Sequence, residues 1–86
     1  MSIDNTHTTR EGKVMRQPTI RQRRLNMFFG NWYEHTRRLQ KCGLSVTQIA
    51  QRMSSESGVQ VHQTTLSLWL HEVERGERLT TYEQAA

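Results

Sequence analysis

Gln63, Thr64, Ser67, Leu68 and His71 are the residues of this chain whose chemistry is most specific in combination. At helical spacing they share one face, and their side chains suit the edges of stacked base pairs. A glutamine amide donates to and accepts from adenine, threonine and leucine meet a thymine methyl, and serine serves either partner. The rival reading is a solvated polar face, against which Leu68 weighs because an exposed leucine there calls for an apolar partner. Catalytic chemistry has less support. His35, His62 and His71 lie near Glu34 or Glu72 in sequence, but residues adjacent on a helix point away from each other. No nucleophile, glycine-rich phosphate loop or metal cluster joins them. The single Cys42 excludes an intramolecular disulfide and is not grouped with histidines at zinc-ligand spacing. It is expected to be a reduced, half-buried thiol. No enzyme activity, metal, cofactor or small-molecule substrate is expected.

The elements that must position this row run from Leu44 to Leu70. Val46, Ile49, Ala50 and Met53 repeat at helical spacing, as do Leu66, Trp69, Leu70 and Val73, which predicts two short amphipathic helices, each with one buried stripe. Ser45 with Gln48 forms a capping-box pattern at the start of the first. Gly43 is placed to end the preceding helix, and the first helix of the pair runs on to Glu56 or Ser57 before the chain reverses at Gly58. Trp69 belongs to the stripe, so it is expected in the core rather than stacked on a base. Thr47, Gln48, Gln51 and Arg52, with His62 and Thr65, are expected beside phosphates, where the positive end of a helix adds attraction.

Gly58-Val-Gln-Val61 followed by Thr64-Thr-Leu-Ser-Leu-Trp-Leu70 resembles the recognition-helix segment of homeodomain-like helix-turn-helix proteins, among them small phage and plasmid repressors and the DNA-binding domains of recombinases and transposases. The resemblance covers about a third of the chain. It implies a recognition helix over about residues 62–74, lying in the major groove. Two departures from the family pattern are the connection from Ser54 to Gln60, longer than the usual tight turn, and His62 where a serine or threonine cap is common.

The remainder of the 86 residues leaves room for one small all-α domain, a size that favours oligomerisation. Residues 1–17 read as a flexible arm, 18–76 as the helix-turn-helix domain and 77–86 as a tail or short helix. Leu25, Phe28, Phe29, Trp32, Tyr33 and Leu39, with Thr36 between them, predict one long first helix starting at Pro18 or Thr19 and packed on the helix pair. Gly30 within it costs about 1 kcal/mol of helix stability and marks a close crossing or a bend. Phe28, Phe29 and Trp32 are expected to cover the pair. No alternating strand pair is visible, which disfavours a β-hairpin wing.

The segment from Arg10 to Arg52 holds ten basic residues against Glu11 and Glu34, a balance of +8, and the residues after Arg52 sum to −3. A polyanion should therefore meet the first half. Arg21, Arg23 and Arg24 are expected at phosphates, or with Arg10, Lys13 and Arg16 as an arm in the minor groove. No apolar run approaches membrane-spanning length and no signal-peptide pattern is present, so a cytoplasmic location is expected. The leading expectation is a homodimeric, sequence-specific double-stranded DNA-binding repressor on a palindromic operator. The alternatives are a protein-protein adaptor or inhibitor using Leu68 and the acidic face at Glu72 and Glu74, and an arginine-rich RNA-binding protein.

Overall fold

The two helices of the predicted pair form where their apolar stripes lie, and every helix begins at a side chain able to cap it. The computed structural model describes Thr6–Thr8 and residues 14–83. Along the chain it has β1 (Thr6–Thr8), β2 (Val14–Arg16), α1 (Ile20–Phe29), α2 (Trp32–Lys41), α3 (Val46–Ser57) and α4 (Gln63–Glu74). Thr19 and Gln22 close a capping box on α1, and Ser45 and Gln48 close another on α3. Each box satisfies two backbone N–H groups reciprocally. Gly58, in the left-handed conformation, ends α3, a position where a residue with a Cβ would be strained.

The single long first helix expected from the spacing is two helices. At Gly30, φ is +89° and its N–H still donates to the Asn26 carbonyl at 2.7 Å. The chain then restarts at Asn31, whose Oδ1 accepts from the N–H groups of Tyr33 and Glu34. Asn26 holds the break from the other side: its Oδ1 accepts from the Trp32 N–H at 2.7 Å, and its Nδ2 donates to the Thr80 carbonyl at 2.8 Å. With those donors satisfied, a helix end can sit inside the protein. The break turns Trp32 into the core and leaves Phe28, expected to cover the helix pair, 58 % exposed. Phe28 instead packs edge-on to Phe29, which stacks on the His35 ring at 4.2 Å. Burial, followed by the nearby Arg38 charge, holds the His35 pKa below its ordinary value.

Leu25, Trp32, Ile49, Ala50, Met53, Val61, Leu66, Trp69 and Leu70 form one core. All four helices contribute to it, and the protein is a small all-α domain. Thr36 fills the stripe of α2 as expected, its hydroxyl donating to the Trp32 carbonyl at 2.7 Å, so a buried polar atom is satisfied within its own helix.

One expectation about the N-terminal segment is overturned. A hairpin is present: β1 pairs antiparallel with β2, Thr6 opposite Arg16 and Thr8 opposite Val14. Part of the supposed flexible arm is also fastened to the domain. Arg16 donates its N–H to the Glu77 carbonyl at 2.9 Å and accepts from the Leu79 N–H at 2.8 Å. Gln17 is only 4 % exposed, its side-chain amide bonded to both main-chain groups of Glu83. Residues 77–83 form a strap over Arg16 and Gln17 and against α1. Arg10 and Lys13 lie outside the described residues. Cys42, expected to be half-buried, is exposed, because the chain leaves α2 there and turns outward at Gly43, where φ is +94°. Among the described residues no helix is long and apolar enough to cross a membrane.

Replacing Asn26 by Ala removes the partner of the first α2 N–H and an anchor of the strap. Unfolding in urea is expected to lose about 1–3 kcal/mol with an unchanged slope; a loss within error of zero would show that the break at Gly30 does not depend on Asn26.

Candidate nucleic-acid interface

The connection between α3 and α4 decides how α4 is presented. After Gly58 the chain runs to His62 without helix or tight turn, and three side chains order it: the Ser57 hydroxyl, which accepts from the Val59 N–H at 3.1 Å, the Ser54 hydroxyl and Arg21. Ser54 Oγ donates to the Val61 carbonyl at 3.0 Å and accepts from the Val61 N–H at 2.9 Å. Val61 is thereby held with its side chain in the core. Arg21, projecting from α1, reaches the same segment, donating to the Gln60 carbonyl at 3.1 Å with its guanidinium over the Trp69 ring. The chain then enters α4 at His62, whose Nδ1 accepts from the Thr64 N–H at 3.2 Å. His62 thus performs the capping role usually taken by a serine or threonine, and in this tautomer its Nε2 carries the proton.

The first turns of α3 and α4 lie side by side. The Thr47 hydroxyl donates to Gln63 Oε1 across them. A shallow groove of about 350 Å³ runs between, lined by Val46, Thr47, Gln63, Thr64 and Ser67. It adjoins a second depression of about 250 Å³ that adds Gln51 and His62 to the wall. Neither helix has an acidic residue in its first turn, so the positive ends of both helix dipoles are left uncompensated by their own side chains. Glu72 and Glu74 sit at the far end of α4, Glu72 paired with Arg78 and Glu74 with Arg37.

The structure places Gln63, Thr64, Ser67, Leu68 and His71 on one side of α4, with Leu68 57 % exposed and Ser67 half-buried. Of the residues expected at phosphates, Thr47, Gln51 and His62 join this row at the groove. The Thr47 hydroxyl spends its proton on Gln63, so it orients that amide instead of donating to a phosphate, and leaves Gln63 Nε2 to donate outward. Gln48 accepts from the Ser45 N–H through its Oε1, with Nε2 remaining. Thr65 is half-buried behind the row. Arg52 lies further along α3 in an ion pair with Glu56 at 3.5 Å. The three arginines of α1 diverge: Arg21 reaches the connection, Arg24 is exposed, and Arg23 turns away to lie over Tyr82. Ser54, Val46 and Gln60 were not anticipated at the site. Ser54 left one local signal, a small polar residue next to the buried stripe of α3.

No protein-family model, curated protein or solved structure matches this chain.

If Ser54 fixes α4 through Val61, then Ser54→Ala frees a donor and an acceptor at once. Amide exchange at Val61 and in the first turn of α4 should accelerate while the centre of α2 keeps its protection. Uniform acceleration across the protein, or none at all, would show that the hydroxyl does not act locally.

Proposed function

We propose that this chain is a sequence-specific double-stranded DNA-binding regulator, with α4 as the recognition helix of a helix-turn-helix. The observation that carries the reading is the pairing of Gln63 with Thr47 at the open end of two helices. An amide oriented from behind, at the head of a row of exposed threonine, leucine and histidine with a half-buried serine among them, is arranged to meet the edges of bases in a major groove. The adjoining helix ends attract the phosphates on either side. Arg21 and Arg24, exposed on α1, extend that field along the backbone. Glu72 and Glu74 lie at the distal end of α4, where they do not oppose it.

The role is non-catalytic and belongs in the cytoplasm, where the protein acts as a homodimer. Two copies place their α4 helices about one helical turn, roughly 34–36 Å, apart on a palindromic operator. Occupying such a site represses transcription by excluding polymerase. The exposure of Leu68 within the row suits a thymine methyl.

Purified protein incubated near physiological salt with a pool of random duplexes should enrich an inverted repeat; retention of DNA without any motif, or no retention, would remove the sequence-specific reading. On the recovered site, Gln63→Ala should relax base preference at one position by about 1–3 kcal/mol. Arg21→Ala should weaken binding to every sequence alike and reduce the salt slope by about 1. Identical effects of the two changes on all sequences would contradict the division between base and phosphate contacts.

A further inference from the structure

A second concentration of positive charge lies away from the α4 row. Arg21 and Arg23 are two positions apart on α1, about 200° around the helix. Arg21 accordingly meets Gln60 and Trp69 while Arg23 meets Tyr82 of the strap. On the Arg23 side, a cavity of about 510 Å³ opens between β2, the first turn of α1 and the strap. Its wall includes Arg16, Gln17, Thr19, Arg23 and Arg78 and, among the described residues, no carboxylate.

The charges around this cavity are unevenly met. Glu72, outside the wall, is shared by two guanidinium groups: Arg78 at 3.1 Å and Arg16 at 3.7 Å. Arg78, its side chain 11 % exposed, is further fixed by donating to the Gln17 carbonyl at 2.6 Å. Gln17 is occupied with the strap main chain through both ends of its amide, so it closes the wall without neutralising it. Arg23 Nε is enclosed and has no hydrogen-bond partner among the described residues. An enclosed N–H of that kind is costly unless something accepts from it. The face of Tyr82 lies 4.5 Å from the Arg23 guanidinium carbon, which steadies the cation and supplies no acceptor in the plane of the fork.

We propose that this cavity is an anion site that takes a phosphate group, with Arg23 as the main donor and Arg16 and Arg78 providing the surrounding field. Phosphate is an acceptor whose geometry matches the planar fork of arginine, and the Arg23 side chain that lines the cavity has donor capacity the described residues do not use. The volume exceeds that of one phosphate and falls within the range of small-molecule sites. Pro18 and Ile20, also in the wall, offer apolar surface to whatever the phosphate is attached to. The group arrives either on a soluble phosphorylated molecule or on a nucleic-acid backbone. The site does not depend on the reading of α4 as a recognition helix.

The test is a titration of the full chain, labelled with nitrogen-15, with inorganic phosphate against sodium chloride of equal ionic strength, following the arginine Nε–Hε signals. Those of Arg23 and Arg78 are expected to shift and saturate with phosphate, with a Kd on the order of 1 mM or tighter. Arg23→Lys keeps the charge but loses the fork, and should weaken phosphate about tenfold; Arg16→Gln, at an exposed side chain, should also weaken it, and Arg38→Lys on α2 should not. A linear drift that chloride reproduces, or equal affinity in the Arg23→Lys protein, overturns the proposal. Once the site is saturated, an added short duplex separates the two sources. Displacement of phosphate from Arg23 assigns the site to a nucleic-acid backbone, and simultaneous occupancy assigns it to a soluble phosphorylated ligand.

Discussion

The edge-to-face contact between Trp32 and Trp69, with ring centroids 5.5 Å apart, holds α4 in register with the rest of the protein. α3 lies along α4 and shares a core with it, but packing against one neighbour leaves a short helix free to roll. The second indole removes that freedom: Trp69 projects from the back of α4 and meets a fully buried Trp32 on α2. Such pairs contribute about 0.5–1.5 kcal/mol beyond the area they bury, and their larger effect here is directional. The contact depends in turn on the break at Gly30, since a continuous helix would carry Trp32 along a different line. It also has a cost, because Trp32 Nε1 is enclosed with no hydrogen-bond partner among the described residues. A position that keeps an orphan donor is one where shape outweighs polarity.

What was legible in the sequence and what was not divide along the length scale of the interactions. The stripes of α3 and α4, the Ser45–Gln48 box, the turn at Gly58 and the place of Trp69 in the core all rest on residues within one or two helical turns, where spacing carries the information. The hairpin rests on main-chain pairing of β1 with β2, which leaves no mark on residue type, and the strap rests on Arg16 meeting Glu77 and Leu79 and on Gln17 meeting Glu83, partners too far apart in sequence for spacing to reveal. Strands of three residues are also too short to display alternation. Gly30 was visible as an anomaly, but turning it into a break requires Asn26 to find Thr80, far along the chain. The exposure of Phe28 accompanies that break, and Cys42 is exposed where the chain turns outward at Gly43.

The same distinction applies to the candidate interface. Periodicity placed Gln63, Thr64, Ser67, Leu68 and His71 on a common face. It did not reveal that Thr47 points its proton at Gln63, because that bond crosses between two helices. Nor did it separate Arg21 from Arg23, which read as one basic run until the core-facing side of α1, marked by Gln22 and Leu25, is known. Charge is polarised along the protein rather than spread: dipole ends without acidic neighbours open at the head of α4, and ion-paired glutamates close its tail.

The strap has a consequence for how the chain reaches this structure. Its bonds join Gln17 to Glu83 and Arg78 across sequence separations of 66 and 61 residues. The ties inside the α3–α4 unit, by contrast, span 7 to 16 residues. Closing a wide loop costs more entropy than closing a short one, and distant contacts form only once their rewards are within reach. The strap therefore carries the larger closure cost, and the ties within the α3–α4 unit the smaller one.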